Sequence, residues 1–127
     1  MTEPLDLPRH AGIRVAEIPN RGRGVVAIEP IRHGELIEAS PVVRLLPDAT
    51  PPKTSPLYDY CFAWDEPPFV EAIAFGVPSL VNHSAAPNAT IDCDLDTQSI
   101  RLLAARDIEA GEEITFDYGV PLWFAEA

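Results

Sequence analysis

Four short stretches carry side chains and backbone that could do chemistry together. Arg21-Gly22-Arg23-Gly24 sets two glycines one residue apart beside two cations. Glycine lacks a Cβ and reaches φ > 0 without strain, so backbone amides at such a turn can face an anionic group such as a carboxylate. Asn82-His83-Ser84, followed by Pro87-Asn88, puts an amide, an imidazole and a hydroxyl in consecutive positions. Phe116-Asp117-Tyr118 offers a phenol beside an aromatic wall, and Tyr60-Cys61-Phe62-Ala63-Trp64-Asp65 a second aromatic run. Taken singly, each has an ordinary reading: a hairpin turn, a structural histidine, packing aromatics. Other chemistries lack their spacing. No G-x-S-x-G elbow surrounds Ser84, so hydrolase chemistry is not indicated. His10, His33 and His83 have no ligand-like spacing, and Cys61 and Cys93 have no second pair, so no metal site and no disulfide framework is expected.

The elements that must position these residues are short. Gly12 to Ile18 alternates loosely and runs into Pro19-Asn20-Arg21-Gly22-Arg23-Gly24, which predicts a strand, a tight glycine turn and a returning strand over Val25 to Ile28. Glu35 to Ala39 and Val42 to Leu46, separated by Pro41, read as two further strands. Pro47 to Pro56 holds four prolines and reads as a surface loop. Tyr58, Tyr60, Phe62 and Trp64 recur at every second position, which predicts one strand with all four on one face. Phe69 to Phe75 fits a strand or a short helix. Ala89 to Cys93 and Ser99 to Ala105, joined by Asp94-Leu95-Asp96-Thr97-Gln98, predict a hairpin. Ile108 to Glu113 reads as a turn leading into a last strand, Ile114-Thr115-Phe116. The expectation is a mostly β protein of many short strands, a single domain over residues 1–127.

Together and in this order, the four stretches resemble the SET-domain family of protein methyltransferases, over roughly Gly12 to Trp123. Arg21-Gly22-Arg23-Gly24-Val25 is similar to the family's G-x-G turn, Asn82-His83-Ser84 with Pro87-Asn88 to its N-H-S and P-N signature, and Gly111-Glu112-Glu113-Ile114-Thr115-Phe116-Asp117-Tyr118-Gly119 to its G-E-E-L-T-x-D-Y stretch. Tyr60 to Asp65 is a looser match to its Y-x-F-x-x-D segment. The resemblance implies small sheets with a C-terminal, pseudoknot-like threading. It implies S-adenosylmethionine as cofactor, met by Gly22, Arg23 and Gly24 and, largely through backbone groups, by Asn82 and His83. It implies Tyr118 as the catalytic tyrosine, with Tyr60 and Phe116 in the lysine channel. Phenylalanine rather than tyrosine at 116 implies a channel wide enough for di- or trimethyl-lysine. Many members close this channel with a cysteine-rich segment after the tyrosine. Here Trp123 and Phe124 either form that lid or anchor the tail, and a second copy of the chain could cover the channel in a homodimer. A catalytically silent SET-like module that binds protein partners is the alternative.

Bulk properties agree with such an enzyme. The net charge of −11 speaks against direct binding of nucleic acid, whose partners present a basic face. It suits a Lys/Arg-rich protein substrate such as a histone or a ribosomal protein, although acidity also serves plain solubility. No stretch approaches the roughly 20 apolar residues of a membrane span, and Met1 to Asp6 has no secretory character, so a cytoplasmic location is expected.

Overall fold

The computed structural model describes residues 12–118. Nine strands make up about half of them, in two sheets ordered β1-β2-β9-β6 and β4-β5-β3-β8-β7. In the first sheet β1 (Ile13–Ile18) and β2 (Gly22–Ala27) form a hairpin in which Ile18 pairs with Gly22. The three-residue turn needs left-handed backbone, supplied by Asn20 at φ 65 and Gly22 at φ 74, the two residue types that accept it most readily. β9 (Glu113–Phe116) runs antiparallel to β2 on one side and parallel to the two-residue β6 (Asn82–His83) on the other. This parallel pair joins chain segments about thirty residues apart, as the threaded arrangement requires; the part of that arrangement after Tyr118 lies outside the described residues.

The second sheet is built around β3 (Leu36–Leu45), one ten-residue strand where two were expected. Its first part pairs with β8 (Ser99–Ala104) and its second with β5 (Phe69–Ala74), so the change of partner falls at Pro41 and Val42. Proline has no N–H to give a ladder, yet its fixed φ suits extended backbone; it marks the handover between partners and does not end the strand. Ile37, Glu38, Ala39 and Ser40 are all buried, which shows that both faces of β3 are covered there. The hairpin of β7 (Ala89–Asp94) and β8 forms as expected. Phe69–Ala74 is a strand, paired with β4 (Cys61–Glu66).

The aromatic run Tyr58 to Trp64 does not share one face. Pro56–Tyr60 is a 3-10 turn capped by the Ser55 hydroxyl, which accepts from the Leu57 amide at 3.2 Å, and the strand begins only at Cys61. Tyr58 and Tyr60 are therefore exposed, Phe62 is half-buried and Trp64 is buried. A proline at the first position of a capped turn outweighs the period-two pattern.

The larger core lies between the sheets and joins Val25 and Ala27 of β2, Ile37 of β3, Leu102 and Ala104 of β8, and Ile114 and Phe116 of β9. A smaller cluster, Trp64, Ala72, Ala74 and Ile100, fills the curl of the second sheet, and Phe62 packs against both. Among the described residues no helix is long and apolar enough to cross a membrane, and no group of His, Cys, Asp and Glu is arranged to hold a metal.

Candidate functional site

The site forms where β9 meets β6. Asn88 holds this junction from beneath: its side-chain amide donates to the Glu113 carbonyl at 2.8 Å and its oxygen accepts from the Thr115 amide at 2.9 Å. One buried asparagine thus acts as a further strand partner for β9 and leaves no buried side-chain polar atom unsatisfied among the described residues. β9 ends at Phe116, and the chain then delivers Tyr118 onto the Val81–His83 backbone.

Tyr118 is held at two points. Its amide donates to His83 Nδ1 at 3.0 Å and its hydroxyl donates to the Val81 carbonyl at 2.9 Å. The His83 and Tyr118 rings meet edge to face with centroids 5.1 Å apart, and the Phe116 ring lies 5.1 Å from Tyr118 on another side. Phe62 stacks on Phe116 at 6.0 Å, extending the aromatic group to β4. Burial, foremost, pushes the Tyr118 phenol above the ordinary tyrosine value; the negative charges of Asp59 and Glu113 act in the same direction and Arg21 opposes them. Tyr118 is accordingly a neutral hydroxyl at physiological pH.

The glycine turn also meets β6. Asn82 Nδ2 donates to the Arg23 carbonyl at 3.1 Å and to Glu113 Oε2 at 2.7 Å, and Arg21 Nη1 donates to the His83 carbonyl at 2.8 Å. A Cβ at Gly24 would sit 2.7 Å from Asn82 Nδ2, Glu113 Oε2 and Ile18 Cγ1, so a larger residue there must displace these side chains. Gly22 faces open space, and its requirement for glycine comes from its positive φ alone.

The structure therefore brings Gly22, Arg23, Gly24, Asn82, His83, Phe116 and Tyr118 into one continuous region. Tyr60 is 42% exposed at the end of the Pro56–Tyr60 turn, and its neighbour Asp59 acts electrostatically on Tyr118. Trp123 and Phe124 lie outside the described residues. Sequence reasoning missed Val81, because a backbone carbonyl has no side-chain signature. It also missed Glu113 as the partner of Asn82, and it placed Phe62 in the core, where its packing on Phe116 links core and site.

Comparison with known proteins matches this geometry to a class. Residues 22–119 match the model of the SET domain. A Schizosaccharomyces pombe histone-lysine N-methyltransferase, H3 lysine-37 specific, is 30% identical over 90% of this chain and 78% of its own length. A Yarrowia lipolytica histone-lysine N-methyltransferase, H3 lysine-36 specific, is 29% identical over 94% of the chain, which spans only 17% of that larger protein. The crystal structure of a Plasmodium falciparum protein described as a putative histone methyltransferase superposes with a TM-score of 0.70 at 25% identity, covering 91% of this chain and 99% of that one. The chain belongs to the SET-domain family. Within that family it is an enzyme of the protein-lysine N-methyltransferase class.

Proposed function

We propose that this chain moves methyl groups from S-adenosylmethionine to lysine side chains of a Lys/Arg-rich protein, a histone or a ribosomal protein, and carries them to di- or trimethyl-lysine. The observation that carries the reading is the double tether of Tyr118, which holds a neutral phenol hydroxyl against Val81 beside the glycine turn and the Asn82-His83 strand. The residues present suit the cofactor: a carboxylate finds the cations Arg21 and Arg23 and an open glycine backbone at Gly22, and an amino-adenosine finds the polar groups of Asn82 and His83. When bound, the cofactor supplies an electrophilic methyl on a positive sulfonium.

The chain's own residues prepare the acceptor. Free lysine has a pKa near 10.4, and only its neutral amine is nucleophilic. Phe62, Phe116 and Tyr118 form an aromatic wall that strips water from an ammonium, which lowers its pKa and lets the proton leave to solvent. The Tyr118 hydroxyl then orients the amine, and most of the acceleration is positional. Tyr60, on the exposed turn beside Asp59, belongs to the mouth of the channel in this proposal. The net charge of −11 draws a basic substrate, and the relatives named above act on histone H3.

Thermal shift with S-adenosylmethionine, followed by mass spectrometry of core histones and ribosomal proteins incubated with labelled cofactor, tests this. A rise in melting temperature with label on lysine is expected. Stabilisation without label on any basic protein would favour a silent binding module, and no stabilisation would remove the cofactor assignment. The homodimer expected from the sequence belongs to the same proposal, and sedimentation of the purified chain checks it.

A further inference from the structure

Glu38 is an acidic residue in the first part of β3 with 3% of its surface exposed, and nothing in the chemistry above uses it. A carboxylate in such a place is costly unless hydrogen bonds compensate. Glu38 Oε2 accepts from the Val77 amide at 2.6 Å and also from the Ser40 hydroxyl, itself 1% exposed. Gly76 closes over this pair so tightly that a Cβ there would collide with both Glu38 and Ser40. Its φ of 175 is ordinary extended backbone, so glycine is required here for space and not for conformation.

Val77 begins the 3-10 turn Val77–Leu80, and the residue that follows the turn is Val81, whose carbonyl takes the Tyr118 hydroxyl. Val77, Leu80 and Val81 of this segment pack in the larger core, and its polar anchors to the rest of the chain include Val77 to Glu38, the Ser79 hydroxyl to the Ala74 carbonyl at 2.6 Å, and the paired strand Asn82–His83 beyond. A side chain on the central strand of one sheet therefore holds the first residue of the segment that meets Tyr118 of the other. An apolar residue would fill the same volume without desolvating a charge, but it could not accept the Val77 N–H.

We infer that Glu38 is a positioning residue for methyl transfer, holding the Val77–Leu80 turn so that the Val81 carbonyl seats the Tyr118 hydroxyl. This rests on the assignment of Tyr118 to the reaction. Misplacement of a reacting group by about 1 Å costs on the order of a hundredfold in rate, so loosening the turn acts on turnover more than on affinity. It also opens Tyr118 to water, and because burial is the main cause of its raised pKa, the phenol then ionises at lower pH.

The experiment compares Glu38→Ala, Glu38→Gln and, as a control for stability alone, Phe69→Leu at the far end of β5. Each is made with tyrosine ring carbons labelled, so that NMR reads the ionisation of Tyr118 whether or not a substrate is known; methyl transfer to core histones is the second readout. In Glu38→Ala the Tyr118 titration moves down toward the ordinary tyrosine range, and turnover at saturating substrate falls by about ten- to a hundredfold with little change in KM. Glutamine, whose side-chain oxygen can accept from both Val77 and Ser40 as Oε2 does, restores both. Phe69→Leu lowers the melting temperature without moving either readout. A Tyr118 titration unchanged in folded Glu38→Ala, or a shift in Phe69→Leu equal to that in Glu38→Ala, overturns the inference. Should Glu38→Ala fail to fold, Ser40→Ala, which removes a donor to the same carboxylate, must move the Tyr118 titration in the same direction or the inference fails. Absence of histone methylation in the unmodified chain would count against the proposed substrate, while the NMR arm still decides the role of Glu38.

Discussion

The backbone amide of Tyr118 donates to Nδ1 of His83 across 3.0 Å, so a neutral imidazole must carry its proton on Nε2. His83 is buried, with the exposed Asp117 carboxylate 3.7 Å from the same nitrogen. What Tyr118 needs is an acceptor at one particular place, and asparagine puts its side-chain oxygen close to where Nδ1 lies. His83→Asn is therefore expected to keep much of the turnover. His83→Gln, whose oxygen falls nearer the Nε2 position, and His83→Ala should lose most of it. Loss of an acceptor from a half-buried N–H costs about 1–3 kcal/mol of stability, visible in urea unfolding. Equal turnover in all three variants would show that the imidazole does not hold Tyr118.

The two glycines of the turn should respond differently to alanine. At Gly24 a Cβ would lie 2.7 Å from Asn82 Nδ2, so alanine there displaces Asn82 from Arg23 and Glu113. At Gly22 the space is open and the cost is backbone strain at φ 74, about 1 kcal/mol. Calorimetry with S-adenosylmethionine should show Gly24→Ala binding at least tenfold more weakly than Gly22→Ala. The reverse order would place the cofactor elsewhere.

Tyr118 also makes the alkaline behaviour testable. Its folded-state pKa is raised, so its contribution to stability is fully present below the unfolded value near 10 and is lost as pH rises through the folded value. Unfolding free energy should fall above about pH 10 more steeply in the native chain than in Tyr118→Phe, as chemical denaturation across that range would record. At neutral pH the same variant loses the hydrogen bond to the Val81 carbonyl, a net cost of about 0.5–1.5 kcal/mol, and most of its methyl transfer, while still binding cofactor. Parallel alkaline limbs in the two proteins would mean that Tyr118 is not the group responsible.

Much of this arrangement was legible in the sequence because its signals are local. The glycine turn, the hairpin of β7 and β8, and the order of the motif stretches each depend on neighbouring residues. Tyr58 and Tyr60 failed as strand residues because Ser55 and Pro56 cap a 3-10 turn, a local signal stronger than the alternation that was followed. Pro41 looked like a boundary since a ladder cannot use it, but whether a strand ends or changes partner depends on β5 and β8, both more than twenty residues away. Glu38 was unreadable for the same reason. Its donors include Val77, 39 residues on, and no spacing rule joins a glutamate on one strand to the first residue of a distant turn.

The last prediction concerns how many methyl groups the enzyme adds. Phe116 is 4% exposed, with Phe62 stacked on it at 6.0 Å and Tyr118 at 5.1 Å, so its ring lies beside the residue proposed to orient the amine. A hydroxyl added at this position has two ways to be satisfied, a water or the substrate amine. Either one narrows the channel and restrains rotation of an amine that already carries a methyl group, whose lone pair must turn back toward the donor before a second transfer. Phenylalanine imposes neither constraint. The unmodified chain should therefore proceed to di- or trimethyl-lysine, and Phe116→Tyr should accumulate monomethyl-lysine with the first transfer slowed less than tenfold. Burying one more polar atom costs about 1–3 kcal/mol if it stays unpaired, so a melting temperature close to that of the unmodified chain would itself indicate that the hydroxyl has found a partner. Mass spectrometry of the product at long incubation decides the point: an unmodified enzyme that stops at one methyl group, or a Phe116→Tyr variant with an unchanged product distribution, would remove Phe116 from the control of product specificity.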